Sequence, residues 1–397
     1  MERQILHVDV NNAFLSWTAI DMLENGYKED IRNIISVIGG DETCRRGVVL
    51  AKSTLAKKYN ILTGESIFMA RKKCNKLQVF RGADKRYLEF SDNLYKMLLE
   101  YSDKVERYSI DECFVEMTGC LMGRTLNEIV IEISKRAKEE LKFTVNIGIS
   151  SNKLLAKMAS DFEKPDKIHT LFKEEIKDKF WTLPINELFM LGKKTTPKLL
   201  KMNIKTIGDL AKSNKNKIEN IFGKHGKILW EYANGIDDSE VIYEQTLPKG
   251  IGHSITMSKD TSNIEELNKI LLGLTEQVCY RLRKYNLKAT IVNVQIRTKN
   301  FENYTRQKSL LRATTVTKEI YEQGKILLKE LYAGRELRLI GIRVDGLVST
   351  DQDVQISIFD EGKEGSQHKK YEKVDKVLDS IKDKHGDSLV MLGGRLK

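Results

Sequence analysis

The sequence is poor in cysteine and proline, and it contains no long apolar run. Its five cysteines show no CxxC spacing, so we expect neither a disulfide framework nor a zinc site. No stretch approaches the ~20 apolar residues that span a bilayer. The opening Met1-Glu2-Arg3-Gln4 runs into a predicted strand without the layout of a signal peptide. The sequence therefore predicts a cytoplasmic protein that makes no use of a membrane.

Positive charge is abundant and unevenly placed. The chain has a formal net charge of +11, and residues 249–350 hold 18 lysines and arginines against 10 aspartates and glutamates. A localised basic field suits a polyanionic partner such as nucleic acid. The alternative is a surface whose charge only keeps the protein in solution, and the clustering makes that alternative weaker.

The apolar pattern predicts a mixed α/β chain. Residues 1–166 alternate strands with helices, residues 167–240 are mostly helical, and residues 249–347 return to α/β. The strands expected in the first part lie at 5–10, 34–38, 48–51, 77–80, 104–117 and 143–149. The helices lie at 12–24, 66–75, 86–101, 126–141 and 152–162. Along 292–297, apolar residues alternate with polar and basic ones, which predicts a sheet with one buried face and one basic face.

Three carboxylates stand in apolar surroundings that read as buried strands. They are Asp9 in Ile5–Val10 and the pair Asp111-Glu112 in Val105–Val115. Buried acids are costly unless a cation balances them. Carboxylates that converge from neighbouring strands suit hard divalent cations, and two such ions support phosphoryl or nucleotidyl transfer. The alternative is a set of strand-end acids that face water.

The residues after Asp9 suggest a phosphate site. Asn12, Ala13 and Phe14 open a helix directly after the strand, and a helix N-terminus is a natural cradle for phosphate. Phe14 would lie near the sugar of such a ligand, or it is simply part of the core. Lys57 and Lys157 lie on two basic helices from which they could reach phosphate, although surface lysines usually have no specific role.

The helical middle carries a turn with the sequence Gly192-Lys193-Lys194-Thr195. It resembles a helix-hairpin-helix unit, whose turn amides bind DNA phosphate without reading base sequence. Phe222–Gly226 could form a second turn of this kind. A helical hairpin without a ligand is the alternative.

Taken in order, these segments resemble the Y-family of DNA polymerases, the DinB/UmuC-type translesion enzymes, and above all its bacterial members. The most specific segments are Ser109–Phe114, Asn146–Ser160 and Lys164-Pro165. The resemblance covers nearly the whole chain. It implies an α/β right-hand polymerase with a palm (1–10 and 79–166), small fingers (11–78), a helical thumb (167–240), a DNA-binding little finger (247–347) and a C-terminal tail (348–397).

The resemblance also implies the active-site roles. Asp9, Asp111 and Glu112 would bind two Mg²⁺ ions together with the Val10 carbonyl, and the primer 3′-hydroxyl would attack the α-phosphorus of a deoxynucleotide. Phe14 would be the steric gate against ribonucleotides. The groups implied to hold the triphosphate are Asn12, Ala13, Phe14, Thr54, Lys57 and Lys157. Where the family commonly has Tyr and Arg on the fingers helix, this chain has Thr54 and Lys57.

The same resemblance implies the partners, which are primer-template DNA, a deoxynucleotide and the bacterial sliding clamp. The residues implied to contact DNA are Gly192, Lys193, Lys194, Thr195, Arg297 and Lys299. Gln355, Ile358 and Phe359 look like a short clamp-binding peptide. We expect an error-prone monomer of the SOS response. Two alternatives remain, a DNA-binding scaffold without activity and, far behind it, a nucleotidyl cyclase with a palm-like sheet.

Overall fold

A computed structural model of the chain describes residues 3–40, 47–83, 86–244, 247–350 and 363–386, as well as Val390 and Gly393. The chain divides into two compact units. Unit 1 comprises Met1–Gly40 and Val48–Gln245, and unit 2 comprises Asp41–Gly47 and Thr246–Lys397.

Unit 1 contains two sheets. Its strands are β1 (Ile5–Val10), β2 (Ser36–Gly39), β3 (Val49–Lys52), β4 (Gln78–Phe80), β5 (Val105–Arg107), β6 (Glu112–Glu116), β7 (Val145–Ser150) and β8 (Ile168–Thr170). Five of them form a central sheet in the order β5-β6-β1-β7-β8, and the other three form a small sheet in the order β3-β2-β4.

Ten helices accompany these sheets in the described residues. They are α1 (Ala13–Glu24), α2 (Thr54–Lys57), α3 (Ile67–Lys73), α4 (Tyr87–Leu99), α5 (Leu126–Glu139), α6 (Lys153–Ser160), α7 (Thr196–Lys201), α8 (Ile207–Ala211), α9 (Lys215–Phe222) and α10 (Lys224–Ala233). Capping residues explain several boundaries. Thr125 forms a capping box with Glu128 at the start of α5, and Asn152 accepts a hydrogen bond from the Leu155 amide at the start of α6.

The central sheet buries β1 completely. Every residue of β1 and of β7 is buried, which is why both strands read as nearly continuous apolar runs. The antiparallel register pairs Asp9 of β1 with Glu112 of β6 on one side and with Asn146 of β7 on the other. The predicted strands therefore form one sheet, and its register brings two of the three carboxylates side by side.

Unit 2 is a four-stranded antiparallel sheet, ordered β11-β10-β12-β9, with helices. Its elements are β9 (Gly250–Thr261), α11 (Ile264–Lys284), β10 (Leu287–Thr298), β11 (Asn303–Thr314), α12 (Thr317–Tyr332), β12 (Leu337–Ser349) and α13 (Lys363–His385). Val292, Val294 and Ile296 are buried in the core of this unit, and the residues between them are half-buried or exposed. The predicted two-sided strand is confirmed.

Most predicted elements are present with boundaries shifted by one to three residues, and two features differ. The basic fingers helix is a single turn, α2, since Ser53 caps it at one end and the chain leaves the helical conformation after Lys58. The short strand β8 was not predicted, and it pairs in parallel with β7 just beyond residue 166. Among the described residues, no helix combines the length and the apolar character that crossing a membrane requires.

Candidate functional site

A cleft of about 460 Å³ opens in unit 1 where β1 ends and α1 begins. We call it the Asp9 cleft. It is lined by Asp9, Val10, Asn11, Asn12, Ala13, Phe14, Leu50, Ala51, Lys52, Ser53, Thr54, Lys57, Thr63, Asp111, Lys164 and Pro165. Residues from four separate parts of the chain therefore meet here, and most of the residues proposed for metal and nucleotide from the sequence are among them.

The acidic wall of the cleft is built by backbone pairing. The Val10 amide donates to the Asp111 carbonyl at 3.0 Å, so the turn before β6 is fixed against the end of β1. The Ser109 hydroxyl donates to Asp111 Oδ1 at 2.6 Å and orients that carboxylate. Glu112 lies opposite Asp9 in the strand register. The structure thus places all three predicted carboxylates where the end of β1 meets the start of β6, with Asp9 and Asp111 lining the Asp9 cleft and Glu112 outside its lining.

Asp9 carries an electrostatic cost. Burial raises the pKa of Asp9 to about 6, and the nearby charges of Glu112 and Asp111 act in the same direction. The Lys164 ammonium opposes this shift, because it donates a hydrogen bond to Asp9 Oδ2. Burial would lower the pKa of Lys164, but the Asp9 and Asp161 carboxylates raise it above its usual value. A positive charge beside Asp9 therefore stabilises its ionised form.

The donor set at this edge fits a hard divalent cation, because all its ligands are carboxylate or carbonyl oxygens. Within the residues that the structure describes, no three His, Cys, Asp or Glu side chains are gathered as a ready metal site. Asp9 and Glu112 instead each accept a hydrogen bond from a lysine ammonium, and Asp111 accepts one from Ser109. Each lysine ammonium balances the charge of one carboxylate, and bound metal ions would take over that role.

Phe14 is half-buried and lines the Asp9 cleft from the first turn of α1. Its ring packs against Tyr87, with 4.9 Å between ring centroids, and meets Trp17 at 6.1 Å in an edge-on arrangement. The Thr18 hydroxyl donates to the Phe14 carbonyl at 2.7 Å. The ring therefore packs against core aromatic residues and also forms part of the cleft wall, and its role beside a sugar stays a prediction.

The start of α1 offers backbone donors to the cleft. Asn12 adopts the left-handed conformation, with φ of 48°, and the helix begins at the next residue. The first amides of an α-helix have no partner within the helix. Asn12, Ala13 and Phe14 all line the cleft, so their position agrees with the phosphate cradle that the sequence suggested.

The opposite wall is basic. Thr54 and Lys57 of α2 line the cleft, and Lys52 at the end of β3 joins them, a residue that sequence reasoning had not singled out. Lys52 donates to the Ile61 carbonyl at 2.6 Å. Burial and the neighbouring Lys57 charge lower the pKa of Lys52. The cleft is therefore lined by both carboxylates and ammonium groups, and the ammonium group of Lys164 lies directly beside Asp9.

Lys157 does not line the Asp9 cleft, in contrast to the place that sequence reasoning gave it. Its ammonium group lies 2.5 Å from Glu112 Oε1 and above the rings of Tyr108 and Phe189. Its side chain is only 10% exposed. Of the two lysines, Lys157 and Lys164, it is Lys164 that lines the cleft, and the sequence predicted no role for it.

A buried histidine lies behind the same carboxylate. His7 Nδ1 is 2.7 Å from the Ser160 hydroxyl, and His7 Nε2 is 3.9 Å from Glu112 Oε1. The Ser160 hydroxyl is also within hydrogen-bond distance of the Lys157 carbonyl, which can only accept. Both bonds form together when His7 Nδ1 carries the proton. Burial lowers the pKa of His7 well below its usual value, so the ring is neutral.

Two buried amides that sequence reasoning missed tie the cleft to the loop that carries Lys164. Asn11 Nδ2 donates to Asn146 Oδ1 at 3.0 Å, and Asn146 Nδ2 donates to the carbonyls of Ser160 and Glu163. The Asp166 amide donates to Asn11 Oδ1 at 2.9 Å. This amide pair holds the loop on both sides of Lys164, so it positions that lysine.

The residues expected to contact DNA lie in separate places. In unit 1, Gly192, Lys193 and Lys194 are exposed, and the amides of Thr195 and Thr196 donate to the Gly192 carbonyl. A short 3₁₀ helix (Ile185–Glu187) precedes this turn and α7 follows it, so only one flanking element is a full α-helix. The second suspected turn joins α9 to α10, with Gly223 at a φ of 65°.

In unit 2, Arg297 lies on β10, and Lys299 directly follows that strand. Arg297 Nε donates to Asn303 Oδ1 at 2.8 Å, and Lys299 donates to Glu336 Oε2 at 2.7 Å. Gln355, Ile358 and Phe359 lie outside the described residues.

Three family models match the chain. The impB/mucB/samB family matches residues 8–161, and the C-terminal domain of that family matches residues 248–358. The thumb domain of DNA polymerase-iota matches residues 188–237.

Curated relatives match over nearly the full length. A DNA polymerase IV of Clostridium acetobutylicum is 48% identical over 391 residues, which cover 98% of both chains. A DNA polymerase IV of Clostridium kluyveri is 35% identical and covers 100% of this chain and 99% of its own. A DNA polymerase IV 2 of Bacillus subtilis is 33% identical and covers 100% and 95%. Among solved structures, a Y-family DNA polymerase chimera aligns with a TM-score of 0.76 at 23% identity, covering 87% of this chain and 99% of its own, which supports the same fold.

Proposed function

The chain belongs to the impB/mucB/samB family of Y-family DNA polymerases, and from this premise we propose that the Asp9 cleft is where deoxynucleotides are added to a primer. The protein is a DNA-directed DNA polymerase of the translesion type. The observation that carries the proposal for the cleft is its lining, which brings Asp9 and Asp111 together with Lys57 and Phe14 around one space.

The domain assignment is part of the proposal. Four strands of the five-stranded sheet lie within 1–10 and 79–166 and support a palm there, although β8 extends that sheet to Thr170. Two strands of the small sheet, β2 and β3, support fingers at 11–78, and its third strand, β4, begins at Gln78. The match to a polymerase thumb at 188–237 supports a thumb at 167–240. The match to the family's C-terminal domain supports a little finger at 247–347.

DNA polymerases of this family use divalent metal ions, and we propose two Mg²⁺ ions here. Asp9, Asp111 and Glu112 would hold these ions together with the Val10 carbonyl. All of these ligands are oxygen atoms, which Mg²⁺ prefers. When bound, the ions activate the primer hydroxyl and neutralise charge on the transferring phosphate. The protein's own part is to hold these oxygens at the end of a rigid sheet, where Ser109 orients Asp111 and Lys157 orients Glu112.

In this proposal the triphosphate is held by groups on α1, on α2 and in the loop that carries Lys164. The amides of Asn12, Ala13 and Phe14 point from the start of α1, where backbone donors and the helix dipole favour anions. Thr54 and Lys57 approach from α2, and Lys164 approaches from the acidic wall. A lysine is a point charge and lacks the bidentate fork of arginine, so Lys57 provides attraction with little geometric selection.

Exchanging Lys164 for methionine is expected to raise the KM for deoxynucleotides about tenfold, because a hydrogen bond to a charged group contributes roughly 1.5–3 kcal/mol. Lys157→Met is expected to lower kcat instead, because Lys157 contacts Glu112 and does not line the cleft. Lys167→Met is the control, since that exposed lysine lies outside the cleft lining. Steady-state insertion of single nucleotides measures both constants. A raised KM for Lys157→Met with an unchanged one for Lys164→Met would reverse the assignment.

The DNA-binding part of the proposal uses two surfaces. The turn at Gly192–Thr195 offers exposed backbone amides and two lysines to a phosphate backbone. Arg297 and Lys299 belong to the polar side of the β10 strand and its hairpin, and their side chains are available for phosphate contacts once their present partners, Asn303 and Glu336, are exchanged.

The segment Gln355–Asp360 is proposed to bind the bacterial sliding clamp. Gln355 would anchor by hydrogen bonds, and Ile358 and Phe359 would fill an apolar pocket on the clamp. Deleting 355–359 is expected to abolish clamp-stimulated synthesis and to leave clamp-free synthesis within about twofold. Ser357→Ala, inside the same segment, is the control. An equal loss with and without clamp would show that the segment acts in folding or catalysis.

We further propose a monomer that acts in the bacterial cytoplasm during the SOS response.

Primer extension is the test of the whole proposal. An undamaged template and one with an abasic site are compared in Mg²⁺ and all four deoxynucleotides, with Glu112→Ala as the blank. Extension past the lesion that is absent in the blank supports a translesion polymerase with this active site. DNA binding without extension on either template would favour the scaffold alternative.

A further inference from the structure

The segment that follows α10 does not leave unit 1 directly. Residues 235–243, which we call the strap, run back over the central sheet and the start of α6. The Asn152 side chain donates to the Gly235 carbonyl at 2.9 Å, and the Leu154 amide donates to Asp237 Oδ2 at 3.0 Å. Asp237 therefore adds a second side-chain acceptor to the N-terminus of α6, beside Asn152.

The strap has one apolar anchor. Val241 is 3% exposed and packs in a small cluster with Ile5, Phe114 and Ala156, whereas Ile242 and Tyr243 beside it are about half exposed. A strap that was merely lying on the surface would not bury a single valine between exposed residues. Because Val241 is the one strap residue in this cluster, apolar burial alone holds the strap only weakly.

The stronger anchor is a buried ion pair that the proposed mechanism does not use. Lys153 Nζ lies 2.8 and 2.6 Å from the two carboxylate oxygens of Glu106, and both side chains are 11% exposed. The same two groups bind the strap. Lys153 also donates to the Glu240 carbonyl at 3.1 Å, and the Ile242 amide donates to Glu106 Oε2 at 2.7 Å.

We propose that the pair Glu106–Lys153 is a latch that fixes the strap to the palm and so sets the point from which the chain leaves for unit 2. A buried ion pair is balanced only when its remaining donors and acceptors are satisfied. Here the strap backbone satisfies them, so the pair and the strap depend on each other. The two residues are positioning residues for the attachment of unit 2, and they take no part in the chemistry.

The latch matters because it shortens the connector. With the strap fixed through Ile242, only residues 243–249 separate it from β9, which begins at Gly250. With the strap released, the connector grows to residues 235–249. Effective concentration falls with about the −3/2 power of connector length, so a release from ~7 to ~15 residues lowers the effective concentration of unit 2 roughly threefold.

The test uses the double variant Glu106→Leu/Lys153→Met. It removes both charges at once, so no unpaired buried charge remains to unfold the protein. The control is Lys215→Met/Glu231→Leu, which makes the same two exchanges in an ion pair between α9 and α10 at 2.9 Å. The Glu231 backbone carbonyl, which this variant keeps, accepts the hydrogen bond from the Ile236 amide of the strap. Both variants and the unmodified full chain are compared by amide hydrogen exchange and by binding to primer-template DNA.

Exchange in residues 236–243 is expected to rise at least tenfold in the latch variant and to stay unchanged in the control. Unchanged exchange in the latch variant would overturn the latch. DNA affinity is expected to weaken about threefold in the latch variant relative to the control, and unaltered affinity despite a released strap would overturn the link to unit 2. Only this second readout rests on the proposed function. If the unmodified chain failed to bind DNA, the function would be refuted while the exchange result would still judge the latch.

Discussion

Asp111→Ala is expected to reduce nucleotide addition by at least about a thousandfold, which corresponds to roughly 4 kcal/mol of lost transition-state stabilisation. Asp111 lines the Asp9 cleft, and its carboxylate is held by the Ser109 hydroxyl at the turn before β6. Its removal takes away one of the three carboxylates that are proposed to hold the metal ions. DNA affinity should stay within about twofold, since the proposed DNA contacts lie elsewhere in the chain.

The measurement is single-turnover insertion of one correct deoxynucleotide at saturating DNA, with DNA binding followed separately. Asp103→Ala is the matched control, because Asp103 is an exposed carboxylate ahead of β5 and does not line the cleft. The backbone bond from the Val10 amide to the Asp111 carbonyl does not involve the side chain, so the turn should persist in the variant. Activity within tenfold of the unmodified chain would remove Asp111 from the active site.

The sequence was sufficient to predict that these three carboxylates need positively charged partners, for a clear physical reason. An acid inside an apolar stretch of sequence has to be balanced by a positive charge, and Asp9, Asp111 and Glu112 all stand in such stretches. In the structure only Asp9 is buried within a strand, whereas Asp111 is half-buried in the turn before β6 and Glu112 is half-buried at the start of β6. The antiparallel register that sets Asp9 against Glu112 depends on pairing between residues more than 100 positions apart, and no local pattern encodes it. The resemblance to the family, and not the periodicity, supplied the expectation that they meet.

The basic residues were harder to place. Lys157 and Lys164 both follow β7, and the pattern of apolar residues gave no reason to prefer the second. Lys157 lies on a helix in which every residue is buried, so its ammonium group is confined beside Glu112. Lys164 lies in the loop after that helix, and the Asn11–Asn146 amide pair directs the loop toward the cleft. A loop conformation set by buried amides from two other strands cannot be read from local sequence.

The Glu106–Lys153 ion pair of the latch could not be predicted from local sequence either. Glu106 reads as one more residue of a short strand, and Lys153 reads as the first residue of a basic helix. Only the fold brings them within 2.8 Å of each other and adds the strap amide of Ile242. An ion pair across 47 positions leaves no signal in a single sequence.

Phe14→Ala is expected to lower the preference for deoxynucleotides over ribonucleotides about a hundredfold or more, mainly by raising kcat/KM for ribonucleotides. A wall that excludes a hydroxyl by bulk loses its selectivity when the bulk is removed, and discrimination of this kind is worth on the order of 10². The ring is well suited to such a wall. Tyr87 packs against it at 4.9 Å and Trp17 meets its edge, so it cannot turn aside to admit a larger sugar.

Two further variants decide this prediction, because each keeps an aromatic ring at the position that it changes. Phe14→Tyr retains the bulk and should retain the selectivity, while Tyr87→Phe keeps the supporting ring and removes only the hydroxyl that reaches Thr18 at 2.9 Å. The ratio of kcat/KM for a matched deoxynucleotide and ribonucleotide is measured for all three variants. Because Phe14→Ala also removes core packing, thermal unfolding is recorded alongside. A folded Phe14→Ala variant with unchanged sugar selectivity would place the gate at another residue of the cleft, and Leu50 and Ala51 on the opposite wall would be the next to exchange.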